Sequence, residues 1–241
     1  MRNHQTSLPG SLQWLSKQHP ATLAASILAE CINIQELRLH FFEIPSRSLE
    51  VFAEDTPLWT SVVDAVERID TRLAQLASQF GGRWDIHKTS LPTQAGKPTA
   101  LDYYHDIQVA KVWNQRRSTR IALHDFLLGI CEEVQVLHRV RANNDLALLR
   151  RRSVEVIESM SAEICASIPF HLRRINANGR KCSSEAQQVA GACALIWPLE
   201  TIAKCRYIGE DHRLVARATL EEIGHAIGVR QATRKLSELS G

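Results

Sequence analysis

Three observations predict an all-α, single-domain, multi-helix bundle. Apolar residues recur at helical spacing in most of the long stretches of the chain. No alternating strand pattern of useful length is present, and most of the connections between periodic stretches are short. The 241 residues, 44% of them apolar, suffice to bury one large core. No internal repeat and no coiled-coil seam interrupts this picture.

Residues 1–20 hold Pro9, Gly10 and Pro20 among polar residues, with Leu8, Leu12, Trp14 and Leu15 able to dock, and read as a partly ordered N-terminal arm. The helical domain then spans 21–241. Leu23, Ile27, Cys31 and Ile34 define its first helix, which continues through Leu37–Phe42 until Pro45 stops it. The clearest helix follows. Thr56 is placed to cap, Pro57 suits the first helical position, Leu58, Trp59, Val62, Val66, Ile69, Leu73, Leu76 and Phe80 form the apolar face, and Gly81-Gly82 closes it. Residues 83–99 contain Pro92, Gly96 and Pro98 without a sustained period and read as a long loop.

Residues 101–140 read as one long central helix whose ends are apolar and whose middle is polar. Ile107, Ala110 and Trp113 precede Arg116, Arg117 and Arg120, and Leu123, Leu127, Ile130, Val134 and Leu137 follow them. Asp145 then caps a helix with Leu146, Leu149, Ile157, Met160, Ile164 and Ile168, expected to end before Pro169. A basic loop at 176–181 leads, through a capping signal at Ser184, to a helix through Val189, Cys193, Ile196 and Trp197, kinked at Pro198. Asp211 caps the next, with Leu214, Val215, Ala218 and Ile223 as its apolar positions. A last helix runs from about Arg230 to Leu239.

Composition excludes several classes. No run of eighteen apolar residues exists and the start lacks the apolar segment of a secretion signal, so a soluble intracellular protein with no membrane contact is expected. The formal net charge of +3 is spread along the chain, whereas nucleic-acid modules concentrate theirs. The six cysteines are all more than ten residues apart, so they form no Cys-x-x-Cys pair and read as small core residues. No His-x-x-x-His pair is present either, and neither a metal nor a cofactor is expected.

Four segments, in order, carry a resemblance. Trp113-Asn114, Arg117, Arg120-Ile121 and Leu123-His124 form the first, and Glu163-Ile-Cys-Ala-Ser-Ile-Pro-Phe-His-Leu172 the second. Ala194-Leu-Ile-Trp-Pro-Leu199 is the third, and Ile223-Gly-His-Ala-Ile-Gly-Val-Arg-Gln-Ala232 the fourth. Together they resemble the C-terminal regulatory domain of the fungal zinc-binuclear-cluster transcription factors, over roughly residues 100–235. The cysteine spacing of that family's DNA-reading zinc cluster does not occur in this chain. The resemblance therefore implies a regulator-like domain, nuclear or cytoplasmic, that binds a small-molecule effector or a protein partner and does not contact DNA directly. A homodimer is compatible with it.

The residues singled out for ligand binding are Trp113, Arg117, Arg120, His124, His171, Trp197 and His225, and no catalytic residue is assigned. Arg117 and Arg120 share one side of a helix and suit an anion or carbonyl clamp in an inter-helical pocket. The plainer reading, and the one the residues favour, is a helix held to its neighbours by Arg–carboxylate pairs; Asp125 and Glu132 or Glu133 lie further along the same helix. Trp113 and Trp197 read as core residues before ligand-stacking ones. An alternative function is an enzyme of cyclase or isomerase type, or a carrier, in a fungal secondary-metabolite pathway. There the same pocket would be used, with the arginines and a histidine polarising the substrate.

Overall fold

The computed structural model describes residues 20–42, 56–78, 81–92, 98–138, 144–181 and 188–240. The expected N-terminal arm, the turn at 44–47 and the capping signal at Ser184 lie outside these residues. Within them the chain forms seven α-helices and one small antiparallel hairpin, so the all-α multi-helix domain expected from periodicity is what the protein adopts. The helices are α1 (Pro20–Phe42), α2 (Thr56–Ser78), α3 (Ile107–His138), α4 (Asn144–His171), α5 (Gln188–Lys204), α6 (Glu210–Glu221) and α7 (Arg230–Ser240). A 3-10 turn at Gly82–Trp84 follows α2, and a π turn at Glu222–Ala226 joins α6 to α7.

The stretch 83–99 corrects the expectation of a structureless loop. Strands β1 (His87–Pro92) and β2 (Pro98–Tyr103) pair antiparallel, with His87 opposite Tyr103 and Ser90 opposite Ala100. The pattern is hard to see because each strand is short, begins or ends in proline, and mixes small and charged residues without a clean alternation. The same hairpin shortens the central helix. Residues 101–103 belong to β2 and the helix begins only at Ile107, where Asp106 Oδ1 accepts the N–H groups of Gln108 and Val109 at 2.9 Å each.

Two further expectations change. Helix α4 runs through Pro169 to His171. A proline one turn from the end forfeits a single bond, and the chain then closes with Leu172 N–H to the Ile168 carbonyl at 2.9 Å and Arg174 N–H to the Pro169 carbonyl at 2.8 Å. Arg173, at φ 56°, makes the left-handed turn that ends the helix. On α6, Leu214, Val215 and Ala218 face outward, while Ala216, Thr219 and Leu220, continued by Ile223, face the core. The helix carries two apolar rows, and packing on α5 selects the second.

The interior divides into two clusters. One unites α1, α2, the hairpin and one side of α3 around Leu23, Ile69, Trp84, Tyr104, Trp113 and Phe170. The other unites α4–α7 and the opposite side of α3 around Ile121, Ile164, Leu195, Leu199, Ile202 and Leu220. Helix α3 lies between them, and α4 is its most extensive neighbour. Five described cysteines are unlinked: Cys131 and Cys205 are buried as expected of small core residues, Cys31 and Cys165 half-buried, and Cys193 exposed, which corrects its assignment to the core.

Candidate functional site

The polar centre of α3 is buried, and it lies along the seam where the two clusters meet. Arg117 is fully buried. Its Nη2 donates to Asp102 Oδ2 of β2 at 3.1 Å, its Nε to Glu163 Oε2 of α4 at 2.9 Å, and its Nη1 to Tyr104 Oη at 2.6 Å and Asn114 Oδ1 at 2.8 Å. A guanidinium fork reaching two carboxylates and two neutral acceptors is close to saturated. Burial opposes its charge, but the Tyr104 hydroxyl, Glu163 and Asp102 outweigh burial, and the group stays protonated. Burial raises the Asp102 carboxyl above its ordinary value despite Arg117, and pushes the Tyr104 hydroxyl up to about 12.

One turn on, Arg120 grips Asp70 of α2 with both ends of its fork, Nε to Oδ1 at 2.6 Å and Nη2 to Oδ2 at 2.9 Å. His124 shares that carboxylate, its Nε2 lying 3.2 Å from Asp70 Oδ1, while its Nδ1 is 3.1 Å from Ser153 Oγ of α4. Burial alone would raise the Asp70 carboxyl, yet His124 and Arg120 hold it well below the ordinary range. Arg116, on the first cluster's side, donates to the Leu73 carbonyl at 2.5 Å and lies over the Trp113 ring; burial brings its guanidinium down to about 10.

The seam continues into α4. Asn114 Nδ2 donates to Ser167 Oγ at 2.8 Å, and Ser167 Oγ donates to the Ile164 carbonyl at 2.7 Å. His171 is fully buried, with Nδ1 3.1 Å from the Ser167 carbonyl and its ring edge-on to Tyr104 and Phe170. Burial, supported by the nearby Arg117, pushes its imidazole down to about 4, so it is neutral at neutral pH. Gly191 of α5 explains how α5 approaches this end of α4: a Cβ there would stand 1.9 Å from the His171 carbonyl oxygen.

The seven residues picked from the sequence therefore fall into three places. Trp113, Arg117 and His171 line the upper seam, where Trp113 Nε1 donates to the Trp84 carbonyl at 3.0 Å. Arg120 and His124 share Asp70 below it. Trp197 is 43% exposed on the outside of α5, and His225 is exposed in the π turn; among the described residues neither bonds to the other five. The sequence missed Asp70, Asp102, Tyr104, Glu163 and Ser153. Nothing in the sequence sets them apart: each stands beside an apolar position, but Asp70 and Ser153 also sit among other polar residues, as solvated ones do. Arg117 and Arg120 thus follow the plainer reading, a helix held to its neighbours by Arg–carboxylate pairs, with the carboxylates supplied by α2, β2 and α4 and not by Asp125 or Glu132 further along α3.

Neither of the two cavities described in the structure is lined by these seven residues. One is a broad depression along the outer face of α2, from Thr60 to Arg72. The other is a groove of about 170 Å³ between α3 and α5, lined by Ile107, Gln108, Lys111, Ala190, Cys193 and Ala194. Among the described residues no group of three His, Cys, Asp or Glu side chains is arranged to hold a metal ion, and no helix is long and apolar enough to cross a membrane.

Fold and site together define an all-α multi-helix domain organised about a buried arginine–carboxylate seam. No protein-family model, curated protein or solved structure matches the chain.

Proposed function

We propose that this chain is a regulator-like helical domain that binds a small-molecule effector or a protein partner and influences transcription through a separate DNA-binding chain. The reading rests on the four segments that resemble the regulatory domain of the fungal zinc-cluster transcription factors. One observation carries it: those segments are one another's physical partners. Asn114 and Arg117 of the first bond Ser167 and Glu163 of the second. Ile168 and Leu172 of the second, Leu195 and Leu199 of the third, and Ile223 and Ala232 of the fourth share one apolar cluster.

On this reading the recognition site is not the arginine pair. Arg117 and Arg120 spend their donors on Asp102, Glu163 and Asp70, so they act as struts between elements. The inter-helical groove between α3 and α5 is open instead, with Cys193 on its wall and Trp197 one helical turn further on. At about 170 Å³ it is below the roughly 300–1,000 Å³ of sites that enclose a drug-sized ligand. It suits a small effector or an anchoring side chain of a partner. The enzyme reading needs a free cationic fork beside the substrate, and the paired arginines give it no support.

The test is to fuse the chain to a heterologous DNA-binding module upstream of a reporter. A change in reporter output relative to the module alone, removed by Trp197→Ala or Ala194→Trp in a protein that stays folded, is the expected result. Unchanged output, together with turnover of a metabolite by the purified chain, would overturn the reading.

A further inference from the structure

Basic side chains on this surface are, as a rule, answered by carboxylates: Arg72 by Glu30, Arg83 by Asp106, Arg151 by Glu155, Arg174 by Glu222 and Lys235 by Glu238. Arg68, Lys111, Arg217 and Arg230 are exposed without such a carboxylate among the described residues, and so are the cations around the hairpin. Lys88 of β1 and Arg180 and Lys181 of the following loop are exposed and, among the described residues, have no carboxylate within ion-pairing distance. Lys88 feels the field of Asp102 across the sheet, but that carboxylate is buried and already bound to Arg117.

Packing sets the loop that carries Arg180 and Lys181 against the hairpin that carries Lys88. Gly179 is buried at φ +68°, and a Cβ on it would come within 2.9 Å of the Tyr103 ring and 3.2 Å of Thr89 Cβ. The 176–181 loop therefore lies directly on the face of the hairpin that carries Thr89 and Tyr103. Asn176 holds the loop rigid, its Oδ1 accepting the N–H groups of Asn178 and Arg180 at 2.9 and 3.0 Å and its own N–H reaching the Arg180 carbonyl at 2.9 Å. Strand alternation puts Lys88 on the opposite face from Thr89, so positive charge flanks β1 on both sides.

Strand β1 is also the outer strand. Strand β2 packs on α4 and buries Leu101 and Asp102, whereas β1 pairs with β2 and, among the described residues, with no other strand. Its second edge has no strand partner among the described residues, and an unpaired strand edge is what an extended peptide adds to as a further strand.

We propose that the outer edge of β1 is a docking surface for an extended, acidic polypeptide segment of a partner protein, which pairs with the β1 backbone and places its carboxylates against Lys88, Arg180 and Lys181. A nucleic acid would be drawn by the same cations but has no use for the open backbone edge, which is why a peptide is the favoured partner. The inference is independent of the groove between α3 and α5 and of the transcriptional reading.

The test uses the full chain and a fluorescent peptide rich in Glu, Thr and Val. Its controls are the same peptide with Lys for Glu and a single-stranded oligonucleotide of matched charge. The expected result is saturable binding of the acidic peptide alone, with slowed amide hydrogen exchange in β1. Combined Lys88→Glu, Arg180→Glu and Lys181→Glu substitutions should weaken it roughly tenfold or more, and Arg217→Glu on the outside of α6 should leave it unchanged. Equal affinity for the lysine peptide, indifference to the charge reversals, or oligonucleotide binding without added protection of β1 would each overturn the proposal. The last result would reassign the patch to phosphate.

Discussion

The cluster between α4 and α7 is aliphatic, built from Ile157, Ile164, Leu195, Leu199, Ile202 and Leu220. The cluster beneath the hairpin contains Trp84, Tyr104, Trp113 and Phe170 and borders directly on the buried charges of Asp102 and Arg117. The first is joined by helix faces alone, and any apolar side chain of suitable volume satisfies it. The second must hold a two-stranded hairpin, which is marginal on its own, in one position against α3. Nondirectional burial does not specify that position. The Asp102–Arg117–Glu163 bridge does, because its hydrogen bonds are made at only one register.

The largest expected effect separates the two regions by mechanism. Arg117→Met leaves Asp102 buried without its counter-ion and should cost about 3–5 kcal/mol in urea unfolding. The loss should shrink as pH falls, because Asp102, with its pKa raised further in the variant, is then protonated and neutral in the folded state. Leu195→Ala, in the aliphatic cluster, should cost about 3 kcal/mol with no such pH dependence. Equal pH profiles for the two variants would erase the distinction.

A smaller effect tests the place where both regions meet α5. Gly191→Ala forces the helices apart at the His171 carbonyl and should cost about 1–3 kcal/mol, visible as a lowered thermal midpoint and shifted amide resonances at the end of α4. A neutral result would mean that α5 does not seat as closely as the 1.9 Å clearance requires.

The buried His171 sets a pH dependence for the seam. Its imidazole sits at about 4 in the folded chain against an ordinary value of 6.5, so between these values the unfolded state binds more protons. Stability is fully present above pH 6.5 and declines on acidification towards 4, with a slope of up to about 1.4 kcal/mol per pH unit. The depressed Asp70 acts in the same direction but only below its ordinary value of 3.8, so the windows are distinct. His171→Gln should flatten the stability curve between pH 4 and 6.5, measured by denaturant titration at several pH values. The smallest effect is expected at the surface. Arg151→Ala removes an exposed pair with Glu155 and should change stability by less than about 0.5 kcal/mol.

The candidate site was half legible. Arg117 and Arg120 stand out because three arginines interrupt an apolar helical pattern, and the structure places both at the seam. Pairing with carboxylates of neighbouring elements is the plainer sequence reading of them, but which carboxylates is not legible, since nothing local marks Asp70, Asp102 or Glu163 as their partners. Tyr104 and Asp102 were read as part of a helix, and only the hairpin makes them partners of Arg117. Trp197 shows the converse: Ala190, Cys193 and Ala194 precede it on an apolar row of α5, yet the helix turns that side outward, where Thr201 and Lys204 continue it.

What the sequence determined by itself was the helical class, the positions of α2, α4 and α7 to within a few residues, and the presence of a polar interruption in α3. These depend on spacings of three and four residues and on proline and glycine punctuation, all of which are local. Tertiary structure alone decided that 87–92 pairs with 98–103, that α6 buries its Ala216 row, and that the arginines of α3 find Asp70, Asp102 and Glu163, 50, 15 and 46 residues away. A charge accepts any opposite charge that packing brings within reach, so its partner becomes fixed only when the helices have crossed.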